Sequence, residues 1–182
     1  MTITLVGLPG SGKSTVGRHL ARRLQVAFVD SDQVIEDRLR CSIKDYFARE
    51  GEGSFRVVES SVLLELVLTE SCGVLSTGGG AVLSETNRAV LRKHSRVVYL
   101  NALPEELVRR LRHDTQRPLL QVADPLAALR ELYRVRDPFY REIADWVVET
   151  SRHSAASLAA IIAGKLDAMQ WCERGRFDAS RH

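Results

Sequence analysis

The sequence predicts an α/β fold, a parallel sheet with helices on both faces, and three observations predict it. Short β-branched runs alternate with amphipathic stretches at helical spacing, the pattern of repeated βα units. A glycine-rich turn joins the first such run directly to the first helical one. The apolar fraction of 45% and charged fraction of 27% are ordinary globular proportions, and 182 residues suit a single domain.

Each element has its own warrant. Thr2–Val6 reads as the first strand, and Ser14–Leu24 as the first helix, with Val16, Leu20 and Leu24 on one face. Ala27–Asp30 reads as the second strand and Val74–Ser76 as the third. Between them, residues 33–69 are mostly helical where one crossover helix would suffice, so this stretch is expected to be an insertion with room for a substrate. Asn87–Arg92 reads as helix, Val97–Leu100 as the fourth strand and Trp146–Val148 as the fifth. A polar stretch at about 111–124 holds His113, Asp114, Gln116 and Arg117 before Pro118, and a helix resumes near Pro125. It is expected to be a loop that closes over a site.

Composition narrows the class of function. No run approaches the eighteen or so apolar residues of a membrane span, and the opening MTITLVGLPG lacks a basic stretch before an apolar core. A cytoplasmic protein with no membrane contact is therefore expected. Cys41, Cys72 and Cys172 are an odd number without metal-ligand spacing, and read as reduced thiols. The net charge of +3 is local: residues 109–141 carry eight arginines against four acids. Arginines gathered in one segment suggest a compact anionic ligand. Nucleic acid is not expected, because no aromatic platform or binding module accompanies the arginines.

The strongest chemical signal is Gly7-Leu8-Pro9-Gly10-Ser11-Gly12-Lys13-Ser14, a glycine, four residues, then Gly-Lys-Ser between a strand and a helix. Its backbone N–H groups can curl round phosphate oxygens, Lys13 can reach the β- and γ-phosphates, and the Ser14 hydroxyl can ligate Mg²⁺. The helix that starts there points its positive end at the anion. Asp30 and Asp32 close the second strand, and residues two apart on an extended chain point the same way. One could hold hydrated Mg²⁺ and the other an acceptor hydroxyl; alternatively, Asp32 caps a helix over Val34–Leu39. Gly78, Gly79 and Gly80 follow the third strand, and their amides can approach a ligand or simply form a tight turn. Arg56, Arg117 and Arg136 are each ambiguous singly, since a helical arginine usually faces solvent.

Taken together, these residues resemble the shikimate kinase family from Thr2 to about Thr150. The matching pieces in order are GLPGSGKST at 7–15, VDSD at 29–32, SI at 42–43, GE at 51–52, FR at 55–56, GGG at 78–80, RPLL at 117–120 and RDPFY at 136–140. The resemblance implies a three-layer α/β/α P-loop kinase fold on a five-stranded parallel sheet. It also implies a lid at about 111–124 and a helical substrate-binding insertion at about 33–69. The implied activity is transfer of the ATP γ-phosphoryl group to the 3-hydroxyl of shikimate, with Mg²⁺ as cofactor.

Carried over by position, Gly10, Ser11, Gly12, Lys13, Ser14 and Thr15 would bind ATP, with Ser14 and Asp30 on the metal. Arg110 would lie along the adenine, and Arg117 would stabilise charge on the phosphoryl in flight. Asp32, Arg56, Gly78, Gly79, Gly80 and Arg136 would bind shikimate, Arg56 and Arg136 through its carboxylate. Lys13, Asp32 and Arg117 would be the catalytic set, in an enzyme expected to be monomeric. Two departures stand out: Leu39-Arg40-Cys41 replaces a common glycine before SI, and SRHSA at 151–155 replaces a common Asn-Pro step. Among rivals, a gluconate kinase would share the phosphate loop but not the set of Arg56, the triple glycine and Arg136. A non-catalytic regulator would be expected to lack Lys13, Asp32 or Arg117.

Overall fold

The computed structural model describes residues 2–69, 73–111 and 123–178. Its five strands are β1 (Thr2–Val6), β2 (Phe28–Asp30), β3 (Val74–Ser76), β4 (Ser95–Asn101) and β5 (Trp146–Glu149). They form one sheet in the order β2-β3-β1-β4-β5, and every neighbouring pair is parallel. The helices are α1 (Lys13–Leu24), α2 (Ser31–Leu39), α3 (Ile43–Leu68), α4 (Glu85–His94), α5 (Pro104–Leu111), α6 (Pro125–Ile143) and α7 (Ala155–Asp178), with a 3₁₀ turn at Ala81–Leu83.

Strand alternation sorts the core into two layers. Ile3 and Leu5 of β1, with Val98 and Leu100 of β4, pack beneath α1 and α7 against Val16, Leu20, Leu158 and Ile162. Val6, Val97 and Tyr99 turn to the other face, against Leu63 of α3, Leu91 of α4, Leu107 of α5 and Tyr140 of α6. Both faces of the sheet are thus covered, as a parallel sheet requires. A smaller cluster around Ile35, Phe55 and Val62 joins α2 to α3.

Consecutive strands leave β1 for one side of the sheet and later return to the other, so the loops after β1 and β3 diverge at their C-terminal ends. That crevice is where ligands bind in open α/β sheets. The phosphate-loop residues follow β1, Asp30 ends β2, and the three glycines follow β3, so all three reach this edge.

Several boundaries differ from the sequence reading, each for a local reason. β4 begins at Ser95, not Val97, because Ser95 and Arg96 pair with Thr2 and Ile3 of β1 despite their polarity. α4 begins at Glu85, two residues before Asn87, because the Ser84 hydroxyl caps it by accepting from the Asn87 N–H at 3.3 Å. α2 begins at Ser31 and not at Val34, and its cap is Asp30, which accepts from the Asp32 N–H at 3.1 Å. Asp32 is therefore not the cap, and the two carboxylates do not share an extended strand: one ends β2 and the other sits in the first turn of α2.

α3 is one helix in name only. Gly51, at φ 80° and ψ 170°, breaks it into a short first part and a longer second part, a backbone state that favours glycine. The 111–124 loop falls almost wholly outside the described residues, as do Arg117 and Cys72.

Candidate active site

The site is built first from an uncapped helix. Gly12, at φ 93°, starts α1 without a side-chain hydrogen bond at the cap. No side chain caps that end of α1, and the helix dipole favours an anion there. Lys13 is 8% exposed and folds back on its own loop, donating to the carbonyls of Gly7 at 2.8 Å and Leu8 at 3.0 Å. The Ser14 hydroxyl donates to Asp30 Oδ2 at 2.6 Å and lies 3.5 Å from Ser76 Oγ. Asp30 thus spends one oxygen on Ser14 and the other on capping α2. These residues, with Pro9, Thr15, Asp32, Thr77 and Gly79, line a cleft of about 320 Å³.

A second cavity, of about 590 Å³, adjoins it and shares three of its residues, Pro9, Asp32 and Gly79. Its other walls are Ile43, Lys44 and Phe47 from the first part of α3, Phe55, Arg56 and Glu59 from the second, Gly78 and Gly80 after β3, and Arg136 from α6. Asp32 stands on the boundary between a phosphate-type cleft and this mixed apolar and cationic cavity.

The triple glycine holds that boundary together by what it lacks. A Cβ at Gly78 would come within 2.6 Å of Asp32 Oδ1, one at Gly79 within 2.8 Å of the Pro9 ring, and one at Gly80 within 2.6 Å of the Arg56 guanidinium. Each is closer than real Cβ contacts run, so each glycine makes room for a different neighbour. The Gly78 amide also donates to the Ser31 hydroxyl at 3.2 Å, tying the turn to the start of α2.

Charge in the cavity is arranged in opposition. Asp32 is pushed up to about 6, first by burial and then by the nearby Asp30 carboxylate, with Lys13 pulling the other way. Arg56 donates to Glu52 at 2.7 Å and to Glu59 at 2.7 Å. Burial works against its charge, but the two carboxylates outweigh burial and hold its pKa above the ordinary value. Glu59 is only 1% exposed. Burial raises its pKa, and the Arg56 and Arg136 guanidinium groups offset only part of that. The buried Glu59 holds one arm of the Arg56 fork, while the exposed Glu52 spans its Nε and second terminal nitrogen, an edge that a carboxylate ligand could take over by displacing Glu52.

Arg56, Arg136, Asp30, Asp32 and the three glycines, spread between positions 30 and 136 of the chain, line one continuous crevice. Arg110 does not join them: its guanidinium donates to the Thr150 carbonyl at 3.0 Å, beside Glu106, at the end of β5. The expectation that the arginines of 109–141 gather on one ligand needs correction. Arg130 pairs with Glu105, Arg134 with Glu131 and Arg141 with Asp137 on the surface of α5 and α6. Of the described arginines in that segment, Arg136 lines the cavity. Glu59, Ser31, Lys44 and Tyr140 were not singled out by sequence. A helical glutamate reads as solvated; the i, i+3 spacing pairs Glu59 with Arg56 on α3, and only the fold shows that Glu59 is buried there.

The chain is similar to known proteins in both sequence and fold. The shikimate kinase family model matches residues 9–167. A shikimate kinase of Paracidovorax citrulli is 56% identical over 171 residues, covering 92% of each chain. One of Thiobacillus denitrificans is 52% identical over 166 residues, covering 91% of this chain and 90% of its own. The solved structure of shikimate kinase from Acinetobacter baumannii in complex with shikimate superposes with a TM-score of 0.87 at 44% identity, covering 92% of this chain and 93% of that one.

Proposed function

The chain belongs to the shikimate kinase family, and on that premise we propose how its residues divide the work of moving the γ-phosphoryl group of ATP onto the 3-hydroxyl of shikimate. That transfer gives shikimate 3-phosphate and ADP, a step of chorismate and aromatic amino-acid biosynthesis. The observation that carries the division of roles is Asp32 on the wall shared by the two cavities.

The nucleotide phosphates take the cleft at the start of α1. Backbone N–H groups of Gly10, Ser11, Gly12 and Thr15 receive their oxygens, and Lys13 exchanges its two carbonyl partners for the β- and γ-phosphates. Mg²⁺, when bound, neutralises the developing phosphate charge. The donors suit it, since a single hydroxyl and carboxylate, Ser14 and Asp30, leave room for the waters and phosphate oxygens that Mg²⁺ prefers.

Shikimate takes the larger cavity. Arg136 and Arg56 grip its carboxylate, a planar match that lysine would not reproduce, and Glu59 keeps the Arg56 fork aimed. The backbone of Gly78, Gly79 and Gly80 lines the ring. Asp32 accepts a hydrogen bond from the acceptor hydroxyl and holds it in line with the phosphoryl group. Because phosphoryl transfer passes through a loose transition state, this positioning outweighs early proton removal. From the family motifs, Arg110 is assigned to the adenine side. Arg117, on a lid over 111–124, is assigned to charge on the phosphoryl in flight and to exclusion of water. The reading includes a monomeric, cytoplasmic enzyme acting on ATP and shikimate.

A coupled ADP-release assay with Mg²⁺-ATP tests it, comparing shikimate, gluconate and no acceptor. Release that requires shikimate is expected. Release with gluconate alone would move the acceptor, and silence with both, despite ATP binding, would overturn turnover altogether.

A further inference from the structure

One part of the RDPFY segment plays no role in the chemistry above, yet it makes a short hydrogen bond to the site wall. Tyr140 is fully buried, and its hydroxyl donates to the Gly79 carbonyl at 2.6 Å. It stands four residues after Arg136 on α6, so the two side chains lie on adjacent turns of one face. The guanidinium of Arg136 acts electrostatically on the same phenol. The glycine turn that lines the acceptor cavity is thereby pinned to the helix that supplies one of its cations.

A second phenol holds that helix from the sheet side. The Tyr99 ring of β4 stacks on Tyr140, centroids 4.9 Å apart. Its hydroxyl shares its proton between Asp137 Oδ1 of α6 at 2.9 Å and Asn101 Oδ1 at 3.0 Å. Asp137 is closed from the other side by Arg141 Nε at 2.8 Å, and Asn101 donates to both oxygens of Glu149 on β5 at 2.9 and 3.1 Å. One hydroxyl reaches from α6 to the glycine turn, and the other reaches from the sheet to α6. Together they fix both the rotation and the height of the helix that carries Arg136.

We propose that Tyr140 is a positioning residue for the acceptor, setting Arg136 and the Gly79 backbone relative to one another, with Tyr99 and Asp137 holding α6 in the register this requires. The inference rests on the shikimate-binding reading of this cavity. A bidentate guanidinium contact tolerates little displacement. The loss should fall on the acceptor more than on the nucleotide, because Arg136 lines the larger cavity and not the phosphate cleft.

Steady-state kinetics on the full chain, varying shikimate at saturating Mg²⁺-ATP and then the reverse, test this in Tyr140→Phe and Tyr99→Phe. The Tyr140→Phe variant should raise the shikimate KM about tenfold, the worth of one hydrogen bond, with the ATP KM unchanged and kcat within about threefold on the same scale. Tyr99→Phe should move the same constant in the same direction, and the double variant should lose less than the product of the singles, as groups acting through one helix do. An unchanged shikimate KM in Tyr140→Phe, with or without a lower melting temperature, overturns the proposal, as does a parallel rise in both KM values. If the wild type itself shows no shikimate-dependent turnover, the parent reading falls and this one with it. A wild type that turns over with a Tyr140→Phe variant matching it defeats the positioning role alone.

Discussion

At the scale of single residues, Asp32 carries a conflict between function and stability. Its folded pKa of about 6 lies above the ordinary aspartate value of 3.8, so burial favours the protonated acid. The sign follows: the stability that Asp32 contributes is greatest below its unfolded pKa and falls as pH rises from about 4 to about 6, after which it is constant. The loss is at most about 3 kcal/mol at 1.36 kcal/mol per pKa unit. Asp32→Asn should therefore remove most turnover while raising the stability of the ligand-free protein at pH 7.5 by about 1–2 kcal/mol, the trade expected at a strained site. Urea unfolding beside the ADP-release assay checks both halves, and a destabilised variant would refute the burial argument. The same titration predicts that shikimate binding to the nucleotide-free protein weakens about tenfold per pH unit below 6, since a protonated Asp32 has lost its carboxylate acceptor. Calorimetry across pH 5 to 8 would show that slope or its absence.

At the scale of elements, the motif-bearing turns and the starts of α1 and α6 were legible, and the starts of α2 and α4 were not. Gly12-Lys13-Ser14 fixes the start of α1 within one residue because the glycine conformation and the helix arrive together. The start of α2 was misjudged because Asp30 and Asp32 are equally good caps on paper, and only the hydrogen bond at 3.1 Å decides between them. The turn before SI offers a sharper case. Sequence shows no glycine there, yet the backbone still adopts the left-handed state, with Arg40 at φ 55° and ψ 27° ending α2. A non-glycine residue held there costs about 1–2 kcal/mol. Arg40→Gly should recover about 1 kcal/mol of that, reduced by the flexibility glycine adds to the unfolded chain. A shift in the urea midpoint at unchanged slope is the expected result, and no shift would mean the turn is not strained.

At the scale of the whole molecule, the fold was readable because each level agreed: alternating strands, amphipathic helices and a phosphate turn all specify one topology. The acceptor cavity was readable only as separate motifs, since its walls come from α2, α3, α6 and the turn after β3, and pairs such as Arg56 with Glu59 depend on burial that sequence does not carry. The local basicity misled for a related reason, since most of those arginines neutralise neighbouring carboxylates in exposed pairs of little energetic weight. Among the described residues no helix is long and apolar enough to cross a membrane. The start of α1, with no side-chain cap, also has a global consequence on the proposed reading, because a nucleotide bound there only by the folded chain would stabilise the fold. Mg²⁺-ATP at a hundred times its Kd should stabilise the fold by about 2.7 kcal/mol, a melting shift of roughly 5–10 °C for a chain of this size. A thermal melt without and with Mg²⁺-ATP measures it.

The three glycines after β3 have a consequence for heredity. Each is spaced against a different partner: Gly78 against Asp32, Gly79 against Pro9 and Gly80 against Arg56. Three neighbouring codons should therefore encode three unlike lesions, alanine at 78 crowding Asp32, at 79 Pro9 of the phosphate loop and at 80 Arg56, which on the proposed reading would disturb the transfer, the nucleotide and the acceptor carboxylate in turn. Second-site revertants selected for aromatic prototrophy should map apart accordingly, to α2, to the phosphate loop and to α3, although the starting mutations lie side by side.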